Sequence, residues 1–238
     1  MVRRLRAASA NLTRARARER RPAFAATPLV MRTLRKDCGG LLFLAIGNEV
    51  GEKFGLPWLQ DMNATAANLA AFPVLDVLKT NDLGYDSKSA FTLSLNHRET
   101  YTGITDRDRA LTTRRFGELV AELEKNPKAA AKEWMAALGK EFRTPGHIPL
   151  CRESPKGLES RQGHTELAVS IARLAGLPPL TIGAEMLQPD GDGALSVEDA
   201  VAYAKKHGIP MVTGKDLLRA HGLDVDVVER KAKAAKRE

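Results

Sequence analysis

Short apolar runs alternate along this chain with longer stretches of helical spacing, and that alternation restricts the fold more than any other feature. Residues 41–46 follow a Gly-Gly pair and are continuously apolar, as a buried strand would be. Residues 90–96 alternate in polarity and predict a half-buried strand. Residues 148–151 are short and extended, and residues 180–187 are a further strand candidate. Between these runs, residues 113–125 and 127–138 have helical spacing and good helix formers. Residues 165–174 place Leu167, Ile171 and Leu174 on one helical face and end near Gly176, a natural C′ residue. Ser196 is expected to cap a helix running to His207 and stopped by Gly208, with a strand at 209–212 and a helix at 214–221 to finish. The pattern predicts an α+β fold, a mixed α/β sandwich around one core.

The 238 residues carry a formal net charge of +8, but the charge sits at the ends. Residues 1–21 hold eight arginines against the single Glu19, a charge of +7. Residues 229–238 add +3, which leaves −2 for residues 22–228. The expected organisation is a basic arm (1–22), one domain (23–228) and a charged tail (229–238). The arm has the Arg-, Ala- and Ser-rich composition of an organelle transit peptide, and a nucleic-acid tail is the second reading. A nearly neutral domain with 5% aromatic residues offers little to stack on bases, so nucleic acid is not expected as a partner. No apolar run approaches the roughly 20 residues of a membrane helix. Cys38 and Cys151 fit no zinc spacing and suit a reducing compartment, which points to the cytoplasm.

Chemistry concentrates between Arg143 and Glu185. Arg143-Thr-Pro-Gly-His147 puts His147 at a strand mouth, where a histidine held by turn backbone is the plain alternative. Arg161-Gln-Gly-His-Thr-Glu166 leads directly into a helix, where exposed N–H groups favour an anion. A neutral His164 there can bind a metal. Arg161 suits bidentate phosphate binding or a solvated surface position. Thr165 is also a natural N-cap. Glu166, in the first helical turn, reads as structural. Glu185 stands amid Ile182, Gly183, Ala184, Met186 and Leu187, where burial would favour its protonated form and suit a general base or acid. Its alternative is a strand edge facing solvent. His97, His207 and His221 fall at ends of elements and are expected to be exposed or capping. The cysteines read as small core residues, and Trp58 and Trp134 as packing. Residues 102–109 read as a capped loop, with a phosphate or dimer contact as the other option.

Five stretches, in this order, resemble the 3,4-dihydroxy-2-butanone 4-phosphate synthase family. They are Met31-Arg-Thr-Leu-Arg-Lys-Asp-Cys-Gly-Gly40, Asn96-His-Arg-Glu-Thr-Tyr-Thr-Gly-Ile-Thr-Asp-Arg-Asp-Arg-Ala110, Gly139-Lys-Glu-Phe-Arg-Thr-Pro-Gly-His147, Arg161-Gln-Gly-His-Thr-Glu166 and the strand of Glu185. The resemblance is to the archaeal-type, single-function form and covers about residues 27–221. It implies conversion of D-ribulose 5-phosphate to L-3,4-dihydroxy-2-butanone 4-phosphate and formate in riboflavin biosynthesis, with magnesium or manganese. It implies that His147 and Glu185 are essential for catalysis, and that Arg161, Gln162, Gly163, His164, Thr165 and Glu185 bind substrate. It further implies that His164 is a metal ligand and that the protein is a homodimer with active sites between subunits.

Two departures stand against that pattern. The family's acidic loop, Arg-Glu-x-Glu-x-Asp, supplies the second protein ligand to magnesium, yet before Asp37 the only acid here is Glu19. Phe43 replaces a cysteine that lines the site in relatives. The change of texture near Pro22 leads to the expectation that a mispredicted or frame-shifted start is joined to a genuine domain, with activity impaired. The rival expectation is a catalytically silent relative acting as a dimeric binding protein.

Overall fold

The computed structural model describes residues 26–79, 83, 88–126 and 128–228. The arm (1–22) and tail (229–238) read from charge lie outside the described residues. Thr27 accepts the Val30 N–H at 3.2 Å and, with Pro28 in the first turn, starts helix α1 (Pro28–Thr33). The chain then passes through a wide turn and Gly39, at φ 79°, into strand β1 (Gly39–Ile46). Helices α2 (Asn48–Lys53), α3 (Leu59–Asn63), α4 (Ala66–Ala71) and α5 (Val74–Val77) precede strand β2 (Phe91–His97). Helices α6 (Asp106–Lys125) and α7 (Ala131–Glu141) lead to strand β3 (Phe142–Arg152). Helix α8 (His164–Leu174), strand β4 (Leu180–Met186) and helices α9 (Val197–His207) and α10 (Gly214–Ala220) complete the order.

The strands form one mixed sheet of order β2-β3-β1-β4. β1 runs parallel to β3, while β2–β3 and β1–β4 are antiparallel. Side chains alternate between its two faces. Leu44, Ile46, Ile148, Leu150 and Leu180 face α6 and pack with Phe54, Phe116, Leu119, Val120 and Trp134. Phe43, Ala45 and Cys151 point the other way, onto Val169 of α8. Helices therefore cover both faces, the mixed sandwich that the pattern predicts. Trp134 is buried, and Trp58 lies against the Arg152 guanidinium at 4.0 Å.

The structure corrects several local expectations. α6 begins at Asp106, well before residue 113, because Thr105 accepts the Asp108 N–H at 3.1 Å and caps it. Residues 102–109 are thus the capped loop and first turn of α6. α7 begins at Ala131 rather than 127, and β3 extends back to Phe142. Residues 209–212 form no strand, since Pro210 has no N–H to pair and Ile209 and Met211 are half exposed. In α8 the buried positions are Thr165, Glu166, Val169, Ser170 and Ala172. Ile171 is exposed, while Leu167 and Leu174 pack sideways against Leu217 and Leu218 of α10. His97 is not exposed: it is buried, edge-on to Phe142 at 5.3 Å and 3.6 Å from the Glu141 carboxylate. Ser196 and Gly208 cap α9 as expected, with the Ser196 hydroxyl accepting the Asp199 N–H and Gly208 at φ 65°. Among the described residues, no helix is long and apolar enough to cross a membrane.

Candidate active site

The start of α8 is open to an anion by local construction. Gly163 occupies the N-cap position and makes no side-chain cap hydrogen bond, and a helix start of this kind favours an anion. Thr165 is not the cap: it lies within the first turn, fully buried. Arg161 folds back over Gly163 so closely that a Cβ at that position would overlap its guanidinium. One Arg161 nitrogen donates to the Glu166 carboxylate at 2.6 Å, and the Ser154 N–H donates to the other Glu166 oxygen at 3.0 Å. Glu166 is fully buried, and burial pushes its carboxyl above the ordinary range against the pull of Ser154 and Arg161. Its role is to orient Arg161, consistent with a structural residue. Gln162 is tied back through its amide to the Leu158 carbonyl at 2.9 Å.

His164, the first residue of α8, meets Glu185 of β4. Its Nε2 stands 3.9 Å from a Glu185 carboxylate oxygen, and its ring lies edge-on to Phe43 at 4.6 Å. Gly183 makes room for that phenyl ring, since a Cβ there would stand 3.2 Å from Phe43. The expected burial of Glu185 is not observed: its side chain is 40% exposed. β4 is an edge strand of the sheet, so apolar sequence neighbours do not enclose the carboxylate. Cys151, on the same face, has its thiol pushed up to about 12, first by burial and then by the charge of Glu185. It stays protonated near neutral pH and is a core residue, not a nucleophile.

His147 reaches the same face from β3. The segment Thr144–Gly146 bulges between the Leu95–Ile148 and Asn96–Arg143 pairs of the β2–β3 ladder. Gly146 lies against the Leu95 backbone, where a Cβ would not fit, and its N–H donates to the Ser94 hydroxyl at 3.1 Å. The His147 N–H donates to Asn96 Oδ1 at 2.8 Å. Alternation puts His147 on the side of Cys151, and Glu185 on the side of Gly183 and Phe43. β1 lies between β3 and β4, so the two residues are separated by two strand spacings, about 10 Å. One chain therefore brings together Arg161, His164 and Glu185, with His147 on the same face two strands from Glu185.

Asn96 is the contact to the site that local reading misses. It is buried at the end of β2 and touches His147 across a separation of 51 residues. No spacing rule signals that contact; only the β2–β3 pairing creates it. Arg143, by contrast, is spent on structure, donating to the Thr100 carbonyl at 3.2 Å.

A magnesium ion prefers oxygen donors, keeps several waters and often takes the rest of its shell from substrate. Among the described residues no group of three or more His, Cys, Asp or Glu side chains is gathered. The half-exposed His164, beside Glu185 and open to solvent, fits a loosely held ion completed by water and substrate oxygens, not an all-protein cage.

The fold and this face define a class: a mixed-sheet enzyme with an uncapped helix start beside a carboxylate–imidazole pair. Residues 21–220 match the family model of 3,4-dihydroxy-2-butanone 4-phosphate synthase, and the chain belongs to that family. It is 41% identical over 185 residues to the 3,4-dihydroxy-2-butanone 4-phosphate synthase of Archaeoglobus fulgidus, covering 78% of this chain and 74% of the relative. It is 39% identical over 201 residues to that of Methanosarcina mazei, covering 84% and 78%. Among solved structures it superposes on a 3,4-dihydroxy-2-butanone 4-phosphate synthase in complex with two magnesium ions, with a TM-score of 0.58 and 25% identity over 85% of this chain and 82% of the other.

Proposed function

We propose that this chain converts D-ribulose 5-phosphate to L-3,4-dihydroxy-2-butanone 4-phosphate and formate, the riboflavin-pathway reaction of its family. The observation that carries the reading is the uncapped start of α8, with Arg161 held over it and the His164–Glu185 pair beside it. Arg161 and the helix N–H groups anchor the substrate phosphate, which lends binding energy to the reacting end. Gln162, Gly163 and Thr165 shape that anchor. Glu185, half exposed and close to the anchor, takes a proton from the sugar carbon next to the ketone. Loss of the first hydroxyl, skeletal rearrangement and release of formate follow.

A divalent ion, magnesium with manganese as a substitute, would be held by His164; when bound it polarises the ketose oxygens. One relative is described as a complex with two magnesium ions, which supports this part of the reading. His147 completes the catalytic set from a second copy. A homodimer with sites between subunits removes the two-strand gap that separates His147 from Glu185 within one chain.

Formate release from ribulose 5-phosphate, with and without magnesium, tests the proposal. The wild type is expected to release formate in a metal-dependent way, and Glu185→Gln and His147→Gln to lose about 10²–10⁴-fold in kcat. A folded wild type that releases none would place the chain among catalytically silent relatives. Light scattering that finds only monomer would remove the second copy from the reading.

A further inference from the structure

His147 presents one ring nitrogen to the protein and leaves the other free to face a ligand. Its own N–H donates to Asn96 Oδ1 at 2.8 Å, and Asn96 Nδ2 donates to the Thr102 carbonyl at 3.4 Å. A backbone N–H only donates and a carbonyl only accepts, so these two contacts decide which end of the Asn96 amide is oxygen and which is nitrogen. The nitrogen end is therefore what stands 3.1 Å from His147 Nδ1. An amide NH₂ has hydrogens to give and no lone pair to offer. Nδ1 must accept, and the neutral imidazole then carries its hydrogen on Nε2.

The amide cannot turn to suit the other tautomer. Asn96 is 4% exposed, and Gly103, at φ 91°, lies so close that a Cβ there would overlap the amide. The Gly103 N–H is held in turn by the buried Asp108 carboxylate at 2.9 Å. A flipped amide would set oxygen against the Thr102 carbonyl and NH₂ against the His147 N–H, losing two hydrogen bonds in a buried place. The glycine and aspartate of the loop before α6 thus serve the histidine indirectly.

We infer that Asn96 is a positioning residue that locks His147 in its Nε2–H tautomer, so that His147 acts as a hydrogen-bond donor to a sugar oxyanion and not as a proton acceptor. The second half of this inference rests on the function proposed above. A neutral imidazole donating from Nε2 stabilises the negative oxygen of an enediolate while keeping its own proton. Proton abstraction is left to Glu185.

Nitrogen-15 NMR of the free wild-type protein at pH 8 tests the lock, with His147→Gln assigning the resonance. A protonated Nε2 and a bare Nδ1 are expected; a neutral ring protonated at Nδ1 would overturn the inference. Asn96→Asp keeps the acceptor for the His147 N–H but replaces the NH₂ donor with an acceptor. It is expected to move the hydrogen to Nδ1 and to lower kcat for formate release by about 10²–10³-fold, with KM little changed. A variant that moves the hydrogen yet keeps full kcat would end the donor role. The NMR measurement needs no turnover, so a wild type without activity defeats the functional reading while the tautomer result stands or falls alone.

Discussion

Glu166 connects the stability of this domain to its anion anchor, and substituting it separates the two. The carboxylate is fully buried, 2.6 Å from an Arg161 nitrogen and 3.0 Å from the Ser154 N–H. Glu166→Ala removes a buried carboxylate from a mostly buried guanidinium and leaves a backbone donor without an acceptor. Breaking such a pair from one side costs about 3–5 kcal/mol. Glu166→Gln keeps an oxygen for Ser154 and removes the charge whose burial is unfavourable. That relief offsets most of the charge-assisted bond it gives up, so its cost at pH 7 is below about 1 kcal/mol.

The pH dependence follows from the raised carboxyl. The folded protein keeps the Glu166 proton to higher pH than the unfolded chain does. The stability it contributes is therefore complete below the ordinary carboxylate range and is lost as pH rises through the raised value. Urea unfolding of wild type, Glu166→Ala and Glu166→Gln between pH 4 and 8 measures both effects. The wild-type advantage over Glu166→Gln should shrink as pH rises. Equal costs for the two variants at pH 7, within about 0.5 kcal/mol, would refute the buried-pair argument. An advantage that grows with pH would refute the sign.

Two further outcomes test the surroundings of the site. Gly103→Ala must place a Cβ at φ 91° and against the Asn96 amide, so it should lower stability by about 1–3 kcal/mol in thermal or urea unfolding; an unchanged midpoint would mean the loop re-forms freely. Cys151, buried and with its thiol pushed up to about 12, should resist iodoacetamide at pH 8 in the folded protein and react after unfolding in urea. Peptide mass spectrometry reads the label, and rapid native labelling at Cys151 would contradict the packing.

Much of the fold was legible because it is written in short-range chemistry. Residues 41–46 form a strand because an unbroken apolar run suits a sheet covered on both faces, and β1 lies inside this one. Ser196 and Gly208 mark the ends of α9 because capping is decided within a few residues. Errors arose where neighbours in space, not in sequence, decide. Ile171 shares helical spacing with Leu167 and Leu174, yet the sheet contacts a different side of α8 and leaves Ile171 exposed. His97 looks terminal in sequence, but Phe142 and Glu141 arrive beside it through the β2–β3 pairing. Apolar neighbours around Glu185 suggested burial, and an edge position left it open.

The sequence by itself determined the alternation of strands and helices and the local geometry at the start of α8, because Arg161 to Glu166 make their contacts within two turns of chain. It also determined the family, through motifs kept in order from Met31 to Glu185, and the family model matches residues 21–220. Tertiary structure alone decided how those motifs meet. The order β2-β3-β1-β4 sets Glu185 next to His164, holds His147 two strands away and brings Asn96 against its ring. Strand order is a choice among long-range pairings, each closed at an entropic cost and rewarded only by the assembled core, so local periodicity carries no record of it.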